Sequence, residues 1–341
     1  MPDARILVIR TGGLGDSLLL WPAVAAARQR RPAARLELLG HRGRLGLLCG
    51  PGGADAALEV EGSGLHHLYS PEAAPPAEVR ARFGAYDVIV AFTAVGDCAL
   101  AVNLSACGAG EVHAFLPRPP EGVHAAAHAL DALVRAGLAA PGDASRAPPL
   151  PVPAGAVEQG RTRLAAAGLA PGRVALLAPG SGSPAKCWPA ERFAALSALL
   201  ARDGWRVALC GGPADADALA AAQAAARAAG APATPTLTDQ DPSELRALLA
   251  ACELFVGNDS GPAHLAALLG RPTLVLFGPT QADTWRPLGP RVAIARGQAP
   301  CAPCAPERLE ECGGRACFDG LGPEQACEAA RRLTQAARET G

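Results

Sequence analysis

Residues 254–277 read LFVGNDSGPAHLAALLGRPTLVLF, and the three parts of that stretch decide the fold. Residues 254–257 are a short apolar run, 262–269 an alanine- and leucine-rich helical stretch, and 273–277 a second apolar run. Between the first run and the helix stand Gly257, Asn258, Asp259, Ser260 and Gly261, all turn formers. Strand, helix and strand in so short a span make a βαβ unit, which places parallel neighbours in a sheet covered by helices. Pro262 suits the first helical position. The amides of Ser260, Gly261 and Ala263 are then expected to face any anion bound at that end.

The same rhythm runs through the chain. In the second half, strands are expected at 173–178 and 206–210, and helices at 190–202, 215–229 and 243–251. In the first half, strands are expected at 5–10, 35–39 and 86–92, with a helix over 17–31. Residues 139–155 are dense in Pro, Ala and Gly without apolar periodicity and read as a linker. The expectation is an α/β chain of two Rossmann-like, doubly wound domains, 1–150 and 151–341, facing each other across a cleft. The final helix could pack back on the first domain.

Composition narrows the function. A net charge of −1 with 4% aromatic residues offers neither a basic face nor a stacking platform for nucleic acid. No apolar run reaches the length of a membrane span. Residues 17–27 imitate a secretory signal, but Asp16 abuts the run and an apolar strand precedes it. Strand, turn and helix account for the segment better, so a cytoplasmic location is expected.

Three loops at strand-to-helix junctions carry the candidate chemistry. The first, Gly12-Gly13-Leu14-Gly15-Asp16, has Leu18 where a dinucleotide fingerprint needs glycine, although Glu37 stands at a plausible distance for a ribose contact. Gly13 and Gly15 allow close backbone approach. Asp16 is either a helix N-cap or a general base. The second, Gly180-Ser181-Gly182-Ser183-Pro184-Ala185-Lys186, departs from the G-x-x-x-x-G-K-[ST] phosphate loop. It still supplies amide, hydroxyl and ammonium donors to a diphosphate. Lys186 is the chain's one lysine; the other 30 of 31 basic residues are arginine. An ammonium is a compact point charge where a guanidinium is a wide fork, which fits a crowded phosphate site. The third loop adds Asp259 as an acceptor for ribose or sugar hydroxyls and His264 beside it. A serine hydrolase is disfavoured because no G-x-S-x-G elbow is present.

Together the stretches 6–22 (ILVIRTGGLGDSLLLWP), 178–193 (APGSGSPAKCWPAERF) and 256–280 (VGNDSGPAHLAALLGRPTLVLFGPT) resemble glycosyltransferase family 9, the ADP-heptose:lipopolysaccharide heptosyltransferases. The resemblance implies a GT-B architecture, with acceptor in the first domain and nucleotide-sugar donor in the second. It implies inverting transfer without a required cofactor, Asp16 as general base, and Ser181, Gly182 and Lys186 on the donor diphosphate. Asp259, Ser260, Gly261 and His264 complete the donor site. The implied partners are an ADP-sugar and a lipopolysaccharide-core acceptor, with peripheral contact at the inner membrane. The alternative of related architecture is a nucleotide-sugar epimerase. The pairs Asp215/Asp217 and Asp239/Asp241 imitate D-x-D metal motifs but read better as helix caps and loop acids.

Two features stand outside that reading. Of the 11 cysteines, Cys301, Cys304, Cys312 and Cys317 cluster as C-x2-C-x7-C-x4-C. They could hold structural zinc, remain reduced or form disulfides. Arg28, Arg30, Arg31, Arg42 and Arg44 form either helix-end charges or a basic rim for a phosphorylated lipid acceptor.

Overall fold

The computed structural model describes residues 4–70, 74–93, 98–142, 144, 148–169, 172–231, 233–238, 240–304, 312 and 314–339. Two compact units divide the chain, Met1–Pro151 and Val152–Gly341.

The first unit runs β1 Arg5–Ile9, α1 Leu14–Leu18, α2 Trp21–Arg30, β2 Arg35–Gly40, α3 Arg42–Leu45, β3 Ala56–Glu59, α4 Ala77–Phe83, β4 Val88–Phe92, α5 Cys98–Ala106, β5 Glu111–Phe115 and α6 Ala125–Arg135. Its parallel sheet has the order β3-β2-β1-β4-β5. Val8 of the central strand stands opposite Leu38 on one side and Val90 on the other. Ile6, Leu7, Val8 and Ile9 are all buried, as a strand covered on both faces requires. Leu7 and Ile9 pack with Phe83, Leu100 and Leu104, while α2 and α6 pack on each other. The single helix expected over 17–31 is two, α1 and α2. Pro22 has no amide to donate back to the Leu18 carbonyl, so the first helix ends and the second begins around it.

Glu37 is buried in β2, which its charge did not foretell. Its carboxylate takes Tyr86 Oη at 2.9 Å, the Arg35 fork at 2.9 and 3.1 Å, and Arg5 at 3.5 Å. Burial pushes its pKa up, but the bonds from Arg35, Tyr86 and Arg5 outweigh burial and hold it below the ordinary value. Burial and the same carboxylate push Tyr86 up to about 12. Glu37 is therefore consumed by the fold, and the ribose contact its position allowed is not available.

The second unit runs α7 Ala156–Ala166, β6 Val174–Ala178, α8 Ala190–Arg202, β7 Arg206–Cys210, α9 Ala216–Ala228, β8 Thr236–Leu237, α10 Pro242–Ala251, β9 Leu254–Asn258, α11 Gly261–Leu268, β10 Thr273–Phe277, α12 Ala282–Trp285, β11 Val292–Arg296 and α13 Pro323–Glu339. The sheet order is β11-β10-β9-β6-β7-β8, all parallel, with the chain reversing direction across the sheet between β6 and β9. Ligands of such sheets bind beyond the carboxyl ends of the strands at that point. α13, expected to be able to reach back to the first domain, sets Ala326, Cys327 and Ala330 into the second unit's own core with Trp188, Phe193 and Leu200. Arg331 fastens it to Asp203 at 2.6 and 2.9 Å. No described helix is long and apolar enough to cross a membrane.

Glu37→Gln should lower unfolding free energy by about 1–3 kcal/mol at neutral pH, the range for hydrogen bonds to a buried charged group. Because the folded-state pKa is depressed, wild type should lose that advantage as pH falls below the ordinary carboxylate range. Denaturant titrations of both proteins at neutral and acid pH check this; a gap that grows in acid contradicts it.

Candidate functional site

In the second unit, the loops after β6, β9 and β10 converge at the carboxyl edge of the sheet. Ala178 and Gly257 are register partners, so the loops that follow them leave side by side. A Cβ on Gly257 would come within 2.9 Å of the Phe255 ring and 3.2 Å of Ala178 Cβ, which explains a glycine there. Asn258, fully buried, fastens the loops together: its amide donates to Pro179 O at 2.8 Å and Gly180 O at 3.2 Å, and its Oδ1 accepts Trp188 N–H at 2.9 Å. Sequence reading passed over Asn258 because a turn former needs no further explanation.

Lys186 Nζ lies 3.0 Å from Asp259 Oδ2, which also accepts Thr280 Oγ1 at 2.8 Å. The Asp259 side chain is 6% exposed and that of Lys186 26%. Lys186 and Asp259 are thus brought together as predicted, but as an ion pair, with Thr280 as a partner not foreseen. An ammonium has three donors, so the pair leaves two for a ligand. The Ser181 hydroxyl, expected to face a diphosphate, donates to Asp259 O at 3.1 Å and ties the loops instead. A Cβ on Gly182 would meet open space.

Ser260 precedes α11 as N-cap without a side-chain cap bond; its hydroxyl turns to Asn258 O at 3.3 Å. Among the described residues, the amides of Ser260 and Gly261 donate to no protein acceptor. The Ala263 amide, expected to be free, donates to Ser260 O at 3.1 Å, because the first turn closes tightly. His264 is buried in that same turn.

In the first unit, Asp16 is not the N-cap of α1 but its third residue; Gly13 is the cap. Asp16 Oδ2 accepts Gly13 N–H at 3.0 Å and Oδ1 accepts Arg10 Nη2 at 2.9 Å. A Cβ on Gly12 would sit 2.8 Å from Asp16 Oδ2, so Gly12, more than Gly13, makes room for the carboxylate. Gly15 lies inside α1, its carbonyl accepting Leu19 N–H at 2.9 Å. Arg10 escaped the sequence reading because one arginine among thirty carries no signal.

The remaining candidates resolve into structure. Asp215 accepts Gly212 N–H at 2.9 Å ahead of α9, and Asp217 lies in that helix's first turn. Asp241 caps α10, accepting Ser243 N–H at 2.7 Å and Glu244 N–H at 2.9 Å. Asp239 lies outside the described residues. Among those described, the group with metal-ligand proximity is His41, Glu59 and Glu61, not either D-x-D pair. The basic rim is largely spent inside the fold. Arg28 binds Gly53 O, Pro32 O, Ala34 O and Asp55; Arg31 binds Gly137 O; Arg44 binds Gly12 O.

Cys301 and Cys312 are exposed, Cys304 half-buried and Cys317 buried. Burial and the three neighbouring cysteines push the Cys317 thiol up to about 11. Among the described residues no three of these sulfurs lie within 4.8 Å of one another, wider than thiolates about 2.3 Å from zinc would stand. The segment around Cys317 buttresses the Lys186 loop: Arg315 donates to Cys187 O at 3.1 Å, Trp188 Nε1 to Leu321 O at 3.0 Å, and Arg192 to Phe318 O at 2.7 Å.

Two Rossmann-like units, each built on a parallel sheet, define the fold class as GT-B. Residues 147–312 match the family described as glycosyltransferase family 9 (heptosyltransferase). Lipopolysaccharide heptosyltransferase 3 of Escherichia coli is 35% identical over 102 residues, 30% of each chain, so the match spans under a third of that relative. Across the fold, the glycosyl transferase family 9 structure from Veillonella parvula superposes with TM-score 0.78 at 20% identity, covering 98% of both chains. E. coli ADP-heptose lps heptosyltransferase II gives 0.75 at 19% identity, covering 98% of this chain and 99% of that one. The family match thus lies in the second unit, and the likeness across the whole chain is one of fold.

Asn258→Ala should remove three bonds at once and lower stability by about 1–3 kcal/mol. Hydrogen exchange at the Trp188 amide should accelerate relative to the strand amides of β6. Unchanged Trp188 protection would show that Asn258 does not hold the loop.

Proposed function

We propose that this chain is an inverting glycosyltransferase that moves a heptose from ADP-heptose to a lipopolysaccharide-core acceptor, working in the cytoplasm against the inner face of the membrane. The observation that carries the reading is the Lys186–Asp259 pair beside the unpaired amides of Ser260 and Gly261. The similarity to a chain named lipopolysaccharide heptosyltransferase supports it.

The reaction distributes its work between the units. Asp16 in the first takes the proton of the acceptor hydroxyl as its oxygen attacks the anomeric carbon opposite the diphosphate. The bond from that carbon to the diphosphate oxygen breaks, and inversion follows from the single displacement. A positioned base of this kind contributes roughly 10²–10⁴-fold. In the second unit, the leaving diphosphate gains negative charge, which the two spare donors of Lys186 and the amides at the start of α11 receive. Asp259 keeps the ammonium in place and offers its other oxygen to a sugar or ribose hydroxyl. So good a leaving group needs no protein acid, which distinguishes this site from the two-carboxylate arrangement of glycoside hydrolysis. The charge that a divalent ion would meet is assigned to Lys186 and the helix amides.

Calorimetry across ADP-, GDP- and UDP-sugars should select the ADP-sugar. Lys186→Ala should weaken that binding by about 10–100-fold, the loss of a charge-assisted hydrogen bond, and Lys186→Arg should restore part of it. Equal affinity in wild type and the alanine variant would remove Lys186 from the site. Donor incubated alone should stay unchanged; an isomerised sugar would replace transfer by epimerisation.

Asp16→Asn keeps the shape and the bond from Gly13 but removes the proton acceptor. Turnover should fall by roughly 10²-fold or more with donor affinity and melting temperature nearly unchanged. Transfer should also survive EDTA. Activity abolished by EDTA and restored by Mg²⁺ would mean that a divalent ion, not Lys186, meets the diphosphate charge.

A further inference from the structure

Arg10 stands at the end of β1 with its side chain 8% exposed, a cation almost wholly removed from water. Burial pulls its pKa below the ordinary arginine value, against the opposing pull of Asp16. A guanidinium in so dry a place must be spoken for, and its bonds are specific. Nη1 donates to Pro117 O at 2.8 Å, Nη2 to Asp16 Oδ1 at 2.9 Å, and the group lies 5.1 Å from the centre of the Phe92 ring. Nε is buried and has no hydrogen-bond partner among the described residues. The backbone amide of Arg10 donates to Leu39 O at 2.9 Å, so the residue is held along its length.

We infer that Arg10 is a positioning residue for transfer, acting only through the Asp16 carboxylate; the inference rests on the reading of Asp16 as general base. At 8% exposure the guanidinium cannot reach the phosphate of an acceptor, but Asp16, with its side chain 36% exposed, can meet a hydroxyl. Each Asp16 oxygen has one protein donor, Arg10 on Oδ1 and Gly13 N–H on Oδ2. Two anchors fix the plane of a carboxylate, and each oxygen keeps a second lone pair for the incoming proton. The other charged group bonded in this loop, Arg44 of α3, donates to Gly12 O at 3.1 Å and shapes the turn without touching the carboxylate. Removing Arg10 would leave Asp16 tethered at one oxygen and free to rotate off the attack line. Misplacement of a base is expressed in turnover, not in donor binding.

The test is a double-mutant cycle on the full chain: wild type, Arg10→Gln, Asp16→Asn and the double variant, each assayed for kcat, donor KM and circular dichroism. Arg10→Gln should lower kcat by roughly 10–100-fold with donor KM within about twofold. In the Asp16→Asn background the same change should lower kcat by no more than about twofold, because the group it positions no longer acts. Arg10→Lys should recover only part of the rate, since one ammonium cannot span Pro117 O and Asp16 together. Should Arg10→Gln fail to fold, the lysine variant carries the same cycle. Losses that multiply in the double variant would overturn the inference while leaving Asp16 as base. A near-normal rate for Asp16→Asn alone would instead remove the base reading beneath it.

Discussion

Everything at the second unit's sheet edge depends on one buried side chain amide. Asn258 closes β9, and its two donors and one acceptor are spent on Pro179, Gly180 and the Trp188 amide. Two loops, one of them with a single 3-10 turn at Pro184–Lys186, are held to each other through a group that water cannot reach. The packing around it reinforces the same junction: Trp188 meets Phe193 edge-on at 5.1 Å between centroids and ties its indole N–H to Leu321. Lys186, two residues before Trp188, is therefore presented from a braced turn, although the ammonium itself retains access to solvent. A buried amide left half satisfied would cost more than the bonds return, so loop geometry and Asn258 stand or fall together.

Each unit places a cation against a carboxylate, and the two pairs are built in opposite senses. In the first, Arg10 is buried at 8% and Asp16 exposed at 36%; in the second, Asp259 is buried at 6% and Lys186 open at 26%. The member facing solvent is the one that can meet a ligand, and the buried member sets its orientation. On the proposed reading, a carboxylate is thus offered where a proton must be taken, and an ammonium where negative charge must be received. One interaction type, inverted, exposes a carboxylate in one unit and an ammonium in the other.

What could be read beforehand follows the range of each signal. β9, α11 and β10 were legible because apolar runs and turn formers are local, and the central strands β1, β2, β4, β6 and β7 followed from the same pattern. β8, only Thr236–Leu237, and β3, Ala56–Glu59, were not, because pairing with a neighbour makes them strands rather than their own composition. Lys186 and Asp259 each stood out in the sequence, but their pairing did not: positions 73 apart in sequence meet only once the sheet exists. The burial of Glu37 and Arg10 was not legible for a related reason. Charged residues are taken as solvent-facing until a partner from elsewhere, here Tyr86 or Asp16, permits burial.

The choice of cation at the two sites follows from geometry. At position 10 the guanidinium reaches two acceptors that lie apart, the Pro117 carbonyl and Asp16, and lays its face near Phe92. A planar fork does all three at once, and an ammonium cannot. At position 186 the requirement is reversed. On the proposed reading, the cation keeps Asp259 on one donor and leaves the others free to follow a diphosphate, within a loop crowded by Ser181 and Thr280. A fork committed to Asp259 would present its remaining N–H groups in fixed directions, whereas the ammonium rotates about one bond. In a chain that otherwise uses arginine for every basic position, that difference accounts for lysine at this one.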